Sequence, residues 1–185
     1  MQTLMKKVGP SATDMIRADH TRVFALFHRY KADARPATKK FVAAAISNAL
    51  LVHARIEEEI FYPAMRAAGS TLLEELEPEH QEMRTLIATL SGMEAADPQF
   101  DLTFMELMRS VIHHVADEET MLLTAAETVL ADRLGELGAQ MAKRRLELKA
   151  EVMGAQARQH PARALLMAGG ALLAGLWLVR AAASR

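Results

Sequence analysis

Six side chains in this sequence can bind a cation or carry charge, yet fall where a helix should present only apolar groups. His20 continues the stripe Ile16, Val23, Phe24 and Phe27. His53 and Glu57 lie in the row Ile46, Ala49, Ile60 and Ala64, and His80 falls between Leu76 and Met83. His114 and Glu118 complete the row Phe104, Leu107, Val111 and Met121. Residues three and four apart share a helix face, so these groups point inward. A lone His on an apolar stripe is usually a hydrogen-bonded core residue. Six such groups in phase are harder to bury, because each ionised carboxylate without a partner costs several kcal/mol. A metal centre removes that penalty by accepting imidazole nitrogens and bridging the carboxylates. The chain has no cysteine, so the ligands must be nitrogen and oxygen. That donor set suits iron or manganese, and zinc less specifically. Two shared carboxylates suggest two metals.

The pattern is duplicated. His20 and His53 are 33 residues apart, and His80 and His114 are 34. Asp19 precedes His20 as Glu79 precedes His80, and His53-x-x-x-Glu57-Glu58 matches His114-x-x-x-Glu118-Glu119. Two copies of one helical hairpin, packed about a pseudo-twofold axis, would bring four His and two Glu together at mid-bundle. The order differs from the Glu-x-x-His pairs of ferritin-type sites. Helical phase selects His114 over its neighbour His113, which falls in a polar row and could only support the site from outside. Glu58 and Glu119 sit one step off the inner row, placed to orient ligands or to stay solvated, and Glu58 could also bridge. Asp19 and Glu79 could accept from ligand imidazoles, though acids flanking a site are more often solvated. His28 and His160 read as peripheral.

The elements that must position these groups are helices. Ser11 to Asp14 forms a capping box that opens the first, which ends in the turn Asp33 to Pro36. Pro36 starts the second, whose last turn Pro63 kinks before a loop at Ala67 to Ser70. The third carries Leu73, Leu76, Met83, Ile87 and Leu90; it begins at Pro78, or a short turn before Pro78 is kinked there. Asp97-Pro98 caps and opens the fourth, with Phe104, Leu107, Val111, Met121 and Ala125 inward. The fold class is all-α: an up-down-up-down four-helix bundle over residues 11–131. An amphipathic helical extension follows at 132–159.

Composition excludes other classes. Lys and Arg number 22 against 23 Asp and Glu, which lacks the basic excess of a nucleic-acid binder. Without cysteine there are no disulfides, zinc fingers, thiolate nucleophiles or iron–sulfur clusters. No phosphate-binding loop or nucleophile triad is visible. Met1 to Pro10 lacks the apolar run of a signal peptide.

Asp19-His20, His53-Ala-Arg-Ile-Glu57-Glu58-Glu59-Ile-Phe-Tyr-Pro63, Glu79-His80 and His113-His114-Val-Ala-Asp-Glu118-Glu119 resemble the hemerythrin-like, or HHE cation-binding, domains. The resemblance covers about residues 11 to 150. It implies that His20, His53, Glu57, His80, His114 and Glu118 ligate two non-haem iron ions, bridged by Glu and by an oxo or hydroxo group. It implies as partner dioxygen or a related diatomic or peroxide ligand. Three functions stay open: a protein that binds or senses oxygen, reactive oxygen or nitrogen species or iron; an oxidoreductase consuming peroxide or nitric oxide; and a non-catalytic interaction module at a membrane. One departure bears on the choice. Oxygen-carrying hemerythrins place two His four residues apart on the third helix, whereas here Leu76 and Arg84 flank His80 at that spacing. One iron is then poorer in nitrogen, which disfavours reversible carriage and favours redox chemistry.

Ala164 to Val179 is uncharged and mostly apolar, and with Ala181 to Ala183 the segment 164–183 approaches the ~20 residues that span a bilayer. Lys143, Arg144, Arg145, Lys149, Arg158 and Arg163 precede it, which places the bundle in the cytoplasm beside a tail anchored in the cytoplasmic membrane. The alternative is a hydrophobic helix packed on protein. The sequence leaves the oligomeric state unknown.

Overall fold

The structure, a computed structural model, describes residues 9–159. The described residues fall into two units that divide between Arg144 and Arg145. Helices α1 (Ala12–Phe27), α2 (Pro36–Ile56), α4 (Leu73–Gly92) and α5 (Pro98–Asp117) run alternately up and down. Two π-helical turns, Glu57–Phe61 and Glu118–Leu122, extend α2 and α5 into the short helices α3 (Tyr62–Ala67) and α6 (Leu123–Val129). Helix α7 (Leu134–Gln159) follows. α1 packs on α2 and α6, α2 on α4, and α4 on α5. This is the up-down-up-down bundle with an additional C-terminal helix.

Local chemistry sets the helix ends. The Ser11 side chain accepts from the Asp14 backbone N–H at 3.1 Å, and Asp14 accepts from the Ser11 N–H at 3.1 Å. Asp97 accepts from the Gln99 N–H at 2.8 Å, with Pro98 as the first residue of α5. α3 stops at Ala67, before Gly69 at φ +85°, a conformation that only glycine adopts without strain. Of the two alternatives at Pro78, a helix beginning there is not the one seen, because α4 starts at Leu73 and runs through it. A proline inside a helix costs ~3 kcal/mol. Burial of Leu73 and Leu76, each contributing about 1.5–3 kcal/mol, offsets that cost.

A continuous apolar cluster fills one end of the bundle. Val23 and Phe27 of α1, Ile46 and Leu50 of α2, Met83 and Ile87 of α4, and Phe104 and Leu107 of α5 all belong to it. A half-buried ionic brace lies at that end. Lys39 donates to both oxygens of Asp101 at 2.9 and 3.0 Å, Tyr30 donates to the same carboxylate, and the Tyr30 ring stacks on Phe104 at 3.7 Å. The start of α7 lies close against the start of α1: a Cβ at Gly138 would run into the Pro10 carbonyl oxygen.

The π turns shift the helical phase. Regular α-helices would point Ile60, Met121 and Ala125 inward. Instead Phe61, Leu122 and Ala126 are buried and Met121 is exposed. In each turn the closing N–H, from Tyr62 or Leu123, bonds the carbonyl five residues back, at Glu57 or Glu118. The extra residue moves every later side chain one position around the axis. Pro63 contributes no N–H just after the first π turn, but the second has no proline. Its common feature with the first is the carboxylate at its start.

Among the described residues, no helix is long and apolar enough to cross a membrane. The segment 164–183 and His160 lie outside the described residues.

Candidate metal centre

The two π turns and their neighbours bring all six inward residues to the middle of the bundle. His20, His53, Glu57 and Glu118 form one group whose candidate donor atoms lie within 4.8 Å of one another. Glu57, His80 and His114 form a second such group, so Glu57 is common to both. Its two oxygens divide between them: Oε1 is 3.3 Å from His53 Nε2, and Oε2 is 3.4 Å from His80 Nε2. Glu118 Oε2 lies 3.2 Å from His20 Nε2 and 3.8 Å from His114 Nε2. Both carboxylates therefore stand between the two groups, as bridging ligands must. Glu57, His80 and Glu118 are 0% exposed.

The far side of each ring is held by an acid. Glu119, Glu58 and Glu79 accept from the Nδ1–H of His20, His80 and His114 at 2.8, 3.0 and 2.9 Å. Asp19 makes a longer contact with His53 Nδ1, at 3.6 Å. A carboxylate only accepts, so Nδ1 of His20, His80 and His114 carries a proton, which leaves the Nε2 of each to face a cation. Asp19 and Glu79 are thus engaged with imidazoles, contrary to the solvated expectation. Each acid serves a His of another helix: Asp19 on α1 faces His53 on α2, and Glu58 after α2 faces His80 on α4. Glu79 on α4 faces His114 on α5, and Glu119 after α5 returns to His20 on α1. Arg84 bonds the second oxygen of Glu58.

The orphaned atoms test whether a cation fits. Both oxygens of Glu57, both of Glu118, and Nε2 of His20 and His53 are buried without a hydrogen-bond partner. Buried polar atoms are otherwise nearly always paired. His80 Nε2 and His114 Nε2 face each other at 3.1 Å, although both rings spend their Nδ1 protons on acids. Two inward lone pairs at that distance repel unless a cation or a proton lies between them. The residues present fit metal ions.

Without a cation, protons compensate. Burial, with the neighbouring Glu118 charge, pushes the Glu57 carboxyl well above its usual range. Burial opposes ionisation of Glu118 too, but His20, 3.2 Å away, and the nearby His114 and His53 hold it below that range. Burial works against His20 protonation, yet Glu118, Glu57 and Glu119 carry its pKa up to about 8. Burial pushes His53 down to about 4. Glu58 falls to about 2, because His80 and Arg84 outweigh its burial.

His113 stays outside the centre. Its side chain is 73% exposed, 3.4 Å from Asp117 and 4.0 Å from Glu79. His28 is exposed on the surface. One buried polar group at the site is absent from the sequence-derived set. Tyr62 is 0% exposed, stacks on His80 and places its hydroxyl 3.4 Å from His80 Nε2. It lies five residues after Glu57, off phase for an α-helix and in phase for a π turn.

A model of the Hemerythrin HHE cation binding domain matches residues 11–126. The chain belongs to this family. The HHE domain spans α1 through the middle of α6 and contains all six inward residues, so the His and Glu cluster lies within a cation-binding domain. In fold it is similar to the crystal structure of a hemerythrin HHE cation-binding domain-containing protein from Mycobacterium kansasii. The TM-score is 0.68 at 20% identity, covering 80% of this chain and 93% of that one. A DNA nickase from Nostoc sp. is 31% identical over 119 residues, which are 64% of this chain and 34% of the nickase. The HHE chain thus spans about a third of the length of that relative.

Proposed function

We propose that this protein holds two iron ions between four imidazoles and two carboxylates, and binds or senses dioxygen, reactive oxygen or nitrogen species, or iron. The observation that carries the proposal is the set of orphaned donor atoms at mid-bundle, six of them without a partner in a fully buried space. His20, His53, Glu57 and Glu118 would hold one ion, and His80 and His114 the other, with Glu57 and Glu118 shared. When bound, the pair supplies one-electron redox steps and an open position for a small ligand. The protein's part is to fix the donors. The four outer acids hold the imidazoles in one tautomer and orientation, and the two π turns aim Glu57 and Glu118. The His80 and His114 side lacks a second α4 imidazole, with Leu76 and Arg84 at that spacing, which favours an exogenous ligand there. Iron quantitation on purified protein, with optical spectra taken with and without oxygen, tests the proposal. About two iron per chain and an oxygen-dependent band are expected; less than half an equivalent after iron-supplemented expression would overturn it.

The absence of a second imidazole on α4 favours one alternative, an oxidoreductase consuming peroxide or nitric oxide. Turnover assays with each substrate separate the two. Nucleic acid stands outside the proposed partners, because 22 basic and 23 acidic residues supply no excess to neutralise a phosphate backbone. DNA cleavage is named only for the longer Nostoc protein, and a supercoiled-plasmid assay checks it here. The segment 164–183 is proposed to tether the bundle to the cytoplasmic face of a membrane. Full-length protein should then sediment with membranes and resist extraction by high salt, since the attraction is apolar. Recovery in the soluble fraction would remove the anchor.

A further inference from the structure

The hydroxyl of Tyr62 is buried with one partner, the Nε2 of His80 at 3.4 Å. His80 gives its Nδ1 proton to Glu58, so its Nε2 accepts and Tyr62 donates. That acceptor is the lone pair a cation would take. Once it is taken, the Tyr62 O–H loses its partner inside a space closed to solvent. An unsatisfied buried hydroxyl costs about 1–3 kcal/mol. The phenol cannot turn away easily, because its ring lies parallel to His80, with an interplanar angle of 12° and centroids 5.4 Å apart. Its oxygen therefore stays beside the point where His80 Nε2 and His114 Nε2 converge at 3.1 Å. This is the side where Leu76 and Arg84 supply no further imidazole.

We propose that the Tyr62 hydroxyl is the hydrogen-bond donor that recognises a small anionic or oxygen-bearing ligand at the His80 and His114 side of the centre. The inference rests on the metal-binding function proposed above. It assigns Tyr62 a role in choosing the ligand rather than in holding the metal. Ligands with an acceptor atom next to the metal gain from the phenol, and ligands of the same size without one do not.

Azide binding to the iron-loaded full chain, followed optically, tests this against Tyr62→Phe, which keeps the stacked ring and removes only the O–H. The variant should retain the iron content of the parent and bind azide about tenfold more weakly, the effect of one lost hydrogen bond to a charged acceptor. Equal azide affinities in the two proteins would overturn the inference. So would loss of iron, or of a visible charge-transfer band before azide is added, because either outcome makes Tyr62 a ligand of the metal itself. Failure of the parent chain to take up iron would instead overturn the metal centre, which the iron assay reports before any azide is present.

Discussion

At the scale of single residues, the centre is defined by which atom of each side chain faces inward. His114 and His113 are adjacent, yet one is 1% and the other 73% exposed at the side chain. His114→Ala should therefore lose most of one metal equivalent, while His113→Ala keeps the metal content of the parent; elemental analysis of the two variants checks this. Protonation sets a second expectation. In the metal-free protein His20 is carried up to about 8 and holds a proton at pH 7, and Glu57, pushed well above its usual range, keeps its proton to higher pH than a free carboxyl. A cation must displace them, so affinity should rise with pH up to about 8 and metal uptake should release acid. Stability of the metal-free protein runs the other way. Groups whose folded pKa is raised stabilise while protonated, so that contribution is present at low pH and lost as pH rises through the folded values. The metal-free melting temperature should fall between pH 6.5 and 8, and the iron-loaded one should not follow it. Thermal melts at several pH values, with and without metal, give both trends. The six inward residues were legible because apolar rows make a polar intruder conspicuous. The outer acids were only half legible, since Asp19 and Glu79 adjoin one His in sequence and engage another in space.

At the scale of elements, the helices and their caps follow from periodicity, from Ser11 and Asp97, and from Pro36 and Pro98 at helix starts. The π turns were not legible. A single extra residue leaves helix propensity unchanged and only displaces the inner row, from Met121 to Leu122 and from Ile60 to Phe61. With Pro63 beside the first turn and none beside the second, proline does not explain both. The wider turn sets Glu118 and Glu119 so that one faces His20 Nε2 and the other His20 Nδ1, at 3.2 and 2.8 Å. Deleting Thr120 should restore a regular α-helix that still buries Leu122 and Leu123. It should also swing Glu119 away from His20. Helix content by circular dichroism should be unchanged, while metal affinity falls about 10–100-fold, the usual effect of losing the partner that orients a ligand. An unchanged affinity would mean that the π turn only relieves packing.

At the scale of the whole molecule, metal binding and folding are one equilibrium. A ligand that binds only the folded chain, at a hundredfold over its Kd, adds about 2.7 kcal/mol of stability per site. For a chain of this size that is on the order of 5–10 °C in Tm. Glu57→Gln should abolish most of that gain, yet leave the metal-free protein as stable or slightly more so, because a buried carboxyl without a partner is removed. Parallel melts of both forms decide it, and identical responses would mean that Glu57 does not ligate. The four acid–imidazole contacts run once around the bundle and return to their origin. Two of them, Asp19 to His53 and Glu79 to His114, lie within a hairpin. The other two, Glu58 to His80 and Glu119 to His20, pass between hairpins. The centre is therefore an interface, and each hairpin alone carries half of its donors. The chain from Ala68 to Leu72 only raises the effective concentration of one half for the other. Cut there, the two fragments should still find each other, with the cation as the reagent that joins them.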